Sequence, residues 1–269
     1  ALVIMINKKQ TTHEKVSIKI LLTSLLIIIN LNISGLGLNS NILEQFPETH
    51  NIIYVGGTGP GNYSTIQGAI NDSIDGDIIF VYEVSSPYYE NIIIDKKVHL
   101  IGENKFTTTI IGDNTQQSIF IKKEEVKIKG FKIQKTDSNT KYPYYGISVE
   151  FGCDNTEIID NIIINLKDGI KLESDNNQIK NNNFYNCGIY VSKASNDNII
   201  IDNFVNDKRI IYLENKNNQN YDNIGQIILK NCYEITIEDS IISNTLNAIL
   251  MIKSNACNIK NITMKNKQQ

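Results

Sequence analysis

The sequence predicts an all-β solenoid: a single-stranded parallel β-helix with a short N-terminal capping helix. Three observations lead there. Similar segments recur about every 20 to 22 residues, a repeat length that signals a solenoid. The apolar residues are mostly Ile, Val and Phe, which favour strands over helices. They alternate with polar residues in Gly-Ile-Ser-Val-Glu-Phe (146–151), Gly-Ile-Lys-Leu-Glu (169–173) and Gly-Ile-Tyr-Val-Ser (188–192), the pattern of a half-buried strand. Third, Asn recurs at one place in the segment, where a turn between strands needs a residue that tolerates a left-handed backbone.

Residues 1–37 read as an export signal with its true start at Met5. Lys8, Lys9, Lys15 and Lys19 precede the apolar run 20–29, and a small-residue site lies near Gly35-Leu36-Gly37. The run is shorter than the roughly 20 residues that span a bilayer. The expected location is therefore secreted or cell surface, with membrane contact only through the signal.

Residues 38–76 form a linker and N-terminal cap. Ser64-Thr65-Ile66-Gln67 reads as a capping box with Ser64 as N-cap. Ile66, Ala69, Ile70 and Ile74 share one helical face, and Gly76 ends the helix. Such a helix shields the open core and strand edges of the first coil. The glycine-rich stretch 56–61 lacks the Gly-Lys-Ser/Thr ending of a phosphate loop.

Residues 77–269 are the rod, with about eight or nine coils rising near 4.8 Å each. One column holds Phe131, Ile162, Phe184, Phe204, Ile241 and Ile262. The residues before them are Gly130, Asn161, Asn183, Asn203, Ser240 and Asn261. Asn161, Asn183, Asn203 and Asn261 are expected to stack as an amide ladder. Two spacings exceed the repeat, by about nine residues near 137–145 and about fifteen near 213–223; insertions in a solenoid become loops, often on a binding face. The first carries Tyr142, Tyr144 and Tyr145 and the second Tyr221, all candidates for stacking on sugars or, equally, for shielding the flank of the rod. No C-terminal lid is evident, so the last coil is expected to be uncapped, as a fragment or under a partner.

The formal net charge of -3 shows no basic footprint for nucleic acid. Cys153, Cys187, Cys232 and Cys257 allow two disulfides in any of three connectivities. Cys153 and Cys232, each seven residues after a repeat-opening glycine, read instead as small buried apolar residues. No C-x-x-C pair suggests a metal site, and no metal or cofactor is expected.

Residues 88–102 (Tyr-Tyr-Glu-Asn-Ile-Ile-Ile-Asp-Lys-Lys-Val-His-Leu-Ile-Gly) and the following Thr-Ile-Ile-Gly-Asp resemble archaeal right-handed parallel β-helix surface proteins, of methanogens especially. Residues 208–216 (Lys-Arg-Ile-Ile-Tyr-Leu-Glu-Asn-Lys) and 225–232 (Gly-Gln-Ile-Ile-Leu-Lys-Asn-Cys) resemble the NosD-type repeat, and the resemblance runs from about residue 52 onward. It implies a right-handed, pectin-lyase-like coil, and it specifies fold better than activity. Copper-enzyme maturation, linked to the NosD name, needs Cys, Met and His ligands. After the signal only His50, His99, Met251 and Met264 remain besides the cysteines, without a cluster.

The enzymatic alternative is a polysaccharide lyase or glycoside hydrolase. Asp160, Asp202 and Asp239 share one column, and paired carboxylates suit hydrolysis. The polygalacturonase motifs Asn-Thr-Asp, Asp-Asp, Gly-His-Gly and Arg-Ile-Lys are absent. A lyase reading would make Arg209, the single arginine, the base beside Asp-bound calcium. The preferred expectation is a non-catalytic module that binds cell-envelope glycans or surface proteins, or spaces other domains. Sequons at Asn62, Asn71 and Asn261 permit glycosylation.

Overall fold

The computed structural model describes residues 50–113, 115–136 and 145–265. They form a right-handed parallel β-helix whose laps are built from three sheets. Sheet 1 stacks Ile52–Val55, Ile78–Val81, His99–Gly102, Lys127–Lys129, Glu157–Ile159, Gln178–Lys180 and Ile199–Ile201, all parallel. Sheet 2 begins with Tyr88–Tyr89, Thr109–Gly112, Lys132–Lys135, Ile162–Ile164, Asn183–Tyr185 and Phe204–Val205. Sheet 3 stacks Ile92–Ile94, Ile119–Ile121, Ile147–Val149, Ile170–Leu172 and Ile189–Val191.

Alternation decides what enters the core. In sheet 1 the middle residues Ile79, Leu100, Ile128, Ile158, Ile179 and Ile200 lie in register and are buried. Sheet 2 contributes Tyr88, Ile110, Ile133, Ile163, Phe184 and Val205. β-branched side chains stiff at the first torsion pack well on such pleated, half-buried surfaces.

Corners between strands take left-handed backbone. Between sheets 1 and 2 the corner column is Gly130, Asp160, Asn181 and Asp202, with φ of 83°, 58°, 56° and 55°. The next residue inward is the ladder. Asn182 Oδ1 accepts from the Asn161 backbone N–H and from Asn161 Nδ2, both at 3.0 Å. Asn203 Oδ1 does the same for Asn182. Asn161 Oδ1 in turn accepts from the Phe131 N–H. The stack is therefore Asn161, Asn182 and Asn203, and the expected member Asn183 lies one residue further along, on the strand. The three consecutive asparagines 181–183 allowed a slip of one place, and a one-residue slip moves every side chain to the opposite face. Phe184 is buried, whereas Phe204 faces outward and Val205 takes the core position. Asn261 is exposed, has φ of 49° and donates to Asp239 Oδ1, so it occupies a corner and not the buried ladder.

The cap helix spans Ile66–Asp72 and ends at Ser73, short of Gly76. Its N-cap is Thr65, not Ser64; the Thr65 side chain accepts from Gly68 N. Glu90, from the first coil, accepts the Ile66 and Gln67 N–H groups at 2.8 and 2.9 Å. Gln67 is thereby freed for another use: its amide accepts from Ile93 N at 2.7 Å and donates to Ile93 O at 3.2 Å, closing the outer edge of sheet 3. Ile66, Ala69 and Ile70 face the core, while Ile74 is exposed.

Uniform winding stops at residue 205. Val205 pairs with Lys208 and Phe204 with Arg209 in antiparallel register. The two residues between, Asn206 and Asp207, have φ of 48° and 64°, as a two-residue primed hairpin requires. Lys208–Glu214, Ile224–Lys230 and Ile249–Ile252 then run parallel to one another as the last strands of sheet 2. Two small sheets complete this block: Asn217–Asp222, Tyr233–Glu238 and Asn258–Ile259, and Ser240–Ser243 with Ile262–Lys265. Within the expected rod 77–269 the winding therefore reverses once, at this hairpin, and the segment 213–223, expected as a loop, contains a strand paired with Tyr233–Glu238.

Ile224–Lys230 is buried along its whole length because it lies between two cores. Ile228 packs into the rod's core; Ile224, Ile227 and Leu229 pack into a second, smaller one. Its polar residues point at the rod. Gln226 bonds to Ile189, and Lys230 bonds to the Ser195 carbonyl and Asn196 Oδ1 with Glu214 3.2 Å away. The far end of the rod is thus closed by the chain's own reversed block.

Candidate functional site

The outer face of sheet 3 carries a row set by strand register: Ile93, Phe120, Ser148, Lys171 and Tyr190. Each is the middle residue of a three-residue strand whose neighbours are buried, so alternation points it away from the core; Ser148 alone of the five is nonetheless buried. Neighbours in such a row are about 4.8 Å apart. Tyr145, just before the third strand, lies beside this row.

Cations sit over the rings. Lys122 Nζ is 4.6 Å from the Phe120 centroid, and Lys171 and Lys167 are 5.4 and 5.9 Å from that of Tyr145. These separations are within the range of cation–π attraction. Lys171 is also 2.6 Å from Glu173. Burial pushes the Tyr145 phenol above its ordinary value, so it stays protonated and keeps a donor at neutral pH. The face thus offers aromatic surface, ammonium groups and a phenolic hydroxyl, a set suited to stacking on sugar rings and to hydrogen-bonding or ion-pairing with their substituents.

The other expected site residues are dispersed. Tyr142 and Tyr144 lie outside the described residues. Tyr221 sits on a strand, its hydroxyl donating to Gln219 Oε1 at 2.6 Å and its ring packed against the C-terminal core. Asp160 is held by Lys105 at 2.6 Å. Asp202 occupies the same corner column two laps on, and exposed Arg209 pairs across from Phe204. Among the described residues no hydrogen bond or ion pair joins Arg209 to either aspartate. No group of three or more His, Cys, Asp or Glu gathers among them.

Cys153, Cys187 and Cys232 are buried free thiols, and Cys257 is free and partly exposed. Burial pushes the Cys153 thiol to about 11 and that of Cys187 to about 12. They are inert packing groups at neutral pH.

Phe120, Lys122, Lys171 and Tyr190 were not singled out from the sequence. The available signal was the alternation itself: Lys171 and Tyr190 are the central residues of the quoted Gly-Ile-Lys-Leu-Glu and Gly-Ile-Tyr-Val-Ser stretches.

No protein-family model and no curated protein matches the chain. Among solved structures, it is similar to pectin methylesterase from carrot, with a TM-score of 0.48 and 14% identity over 82% of this chain and 85% of that one. It is also similar to Escherichia coli YbhC, with a TM-score of 0.38 and 10% identity over 83% of this chain and 86% of that one. Likenesses this distant carry no inference about activity. The parallel β-helix assignment rests on the strand register of the chain itself.

Proposed function

We propose that the chain is a non-catalytic, exported β-helix module of the cell surface, of the archaeal NosD-like kind, that binds glycans on the outer face of sheet 3. The observation that carries this reading is the pairing of Tyr145 with Lys171 beside Phe120, Lys122 and Tyr190. Aromatic rings offer their faces to sugar C–H surfaces, and the lysines favour acidic or hydroxyl-rich ligands. Against the lyase or hydrolase alternative stands the engagement of Asp160 with Lys105. A general acid or base needs to reach the bond it works on.

The test is a panel of acidic and neutral polysaccharides, with and without calcium, assayed for retention of the protein and for new chain ends. Retention is expected without cleavage, weakened about tenfold in Tyr145→Ala and Lys171→Ala variants, equivalent to about 1.4 kcal/mol. New chain ends that vanish in Asp202→Asn or Arg209→Ala would overturn the non-catalytic reading. Retention unchanged in both face variants would move the site elsewhere.

A further inference from the structure

We infer that Lys230 and Asn196 are the two halves of a self-forming isopeptide bond that ties the reversed block to the rod, with Glu214 as the proton carrier. Three elements bring these residues together. Gln226, Ile228 and Lys230 alternate along Ile224–Lys230 and so share its rod-facing side. Glu214 is the register partner of Lys230 on the neighbouring strand. Asn196 lies on the corner before Ile199–Ile201. Its backbone N–H is held by Asp175 Oδ1 at 2.7 Å, and its carbonyl accepts from Asn176 N at 3.0 Å.

The arrangement is that of a nucleophile, an acyl group and a base. Lys230 is 1% exposed, and its Nζ donates to Asn196 Oδ1 at 2.7 Å, one bond from the carbonyl carbon Cγ. Asn196 Nδ2 donates to the Ala194 carbonyl at 2.8 Å, which fixes the plane of the amide. Glu214 Oε1 is 3.2 Å from Nζ, and Glu214 Oε2 accepts from the Asp197 N–H at 3.0 Å and the Tyr212 hydroxyl at 2.8 Å. Reactants fixed in this way need no diffusional encounter. Lys97, Lys105, Lys127 and Lys171 are also ion-paired, but their side chains are 23% or more exposed.

Glu214 takes one proton from the Lys230 ammonium. The free amine attacks Asn196 Cγ and forms the new C–N bond. Glu214 returns that proton to Nδ2 and takes a second from Nζ. The Cγ–Nδ2 bond breaks and ammonia leaves, carrying the second proton off as ammonium. An ammonium and a primary amide thus become a secondary amide and an ammonium ion, and no oxidant or cofactor enters. The product also removes a charge from the interior, where an ammonium is costly to hold.

The test is mass spectrometry of the purified, folded full chain. Its intact mass should lie one ammonia molecule below the mass that its sequence and termini dictate. Trypsin should release a branched peptide joining 194–208 to 217–253 through Asn196 and Lys230, uncleaved after Lys230. Asn196→Ala and Glu214→Gln, checked for retained strand content by circular dichroism, should show the full mass and cleavage after Lys230. A folded wild type at full mass overturns the inference, and this measurement decides alone if either variant fails to fold. An ammonia loss without the branched peptide overturns it equally. A branched peptide that persists in Glu214→Gln overturns the role given to Glu214.

Discussion

The side-chain amide of Gln226 pairs with the backbone of Ile189 as a neighbouring strand would, accepting from its N–H at 2.9 Å and donating to its carbonyl at 2.7 Å. Ile189–Val191 is an edge strand of sheet 3, and the opposite edge, at Ile93, is met in the same way by Gln67. Both residues are glutamine because a primary amide matches the donor–acceptor pair of a peptide group.

Replacing Gln226 with Met keeps the volume but leaves a buried N–H and carbonyl unpaired. We expect a loss of about 1 to 3 kcal/mol by chemical denaturation. Gln226→Glu should also destabilise at neutral pH, because a carboxylate cannot donate to Ile189 or to Asn247, whose carbonyl is 2.9 Å from Nε2. Equal stability of wild type and both variants would show that the pairing contributes nothing.

Asn182 and Asn183 are adjacent and have opposite fates. Asn182 is buried, donates to Ile158 O and bonds both rungs of the ladder. Asn183 faces outward on its strand. Asn182→Ala should cost about 1 to 3 kcal/mol, and Asn183→Ala about 0.5 kcal/mol or less. Denaturation midpoints of the two variants decide this, and equal losses contradict the register.

Lys230 is buried against Glu214 between the rod and the reversed block. Removing one partner of a buried pair strands the other, at about 3 to 5 kcal/mol. We expect Lys230→Met to be severely destabilised, and Lys230→Met with Glu214→Gln to recover part of the loss. Hydrogen exchange should show the first opening within 208–265. A double variant no more stable than Lys230→Met would indicate that the Ser195 and Asn196 contacts, not the pair, dominate.

Asp168 is buried, and burial holds its carboxyl above the ordinary carboxylate range despite a hydrogen bond donated by Asn247 Nδ2. A raised folded-state value means that the native chain binds its proton more tightly than the unfolded chain. This stabilising contribution is full below the unfolded value and is lost as pH rises through the folded one. Asp168→Asn should therefore melt higher than wild type at pH 7, with the gap shrinking as pH falls through the carboxylate range. A gap that is constant with pH would remove ionisation as its cause.

Much of the rod is legible because it is periodic. The isoleucine column Ile128, Ile158 and Ile179 follows from spacing and alternation, since each must face the core in turn, but among Ile199-Ile200-Ile201 only the strand register picks out Ile200. The Asn183 slip shows where this fails: among three identical residues, only the inward or outward position of the next side chain fixes register. The reversal had a local signal, Asn206-Asp207 between two apolar-rich runs, but it competes with a corner, which uses the same residues. The face around Tyr145 and Lys171 was harder to find, because its members are 20 or more residues apart and meet only when successive laps stack.

The 21-residue step from Asn161 to Asn182 and from Asn182 to Asn203 makes the middle of the molecule modular. Both edges of sheet 3 are met by glutamine side chains, so neither pairing senses how many laps lie between. Duplicating residues 161–181 in tandem should add one lap, lengthen the rod by about 4.8 Å and add one rung to the amide stack. Length is then a quantity that gene duplication can adjust in whole steps without redesigning either terminus.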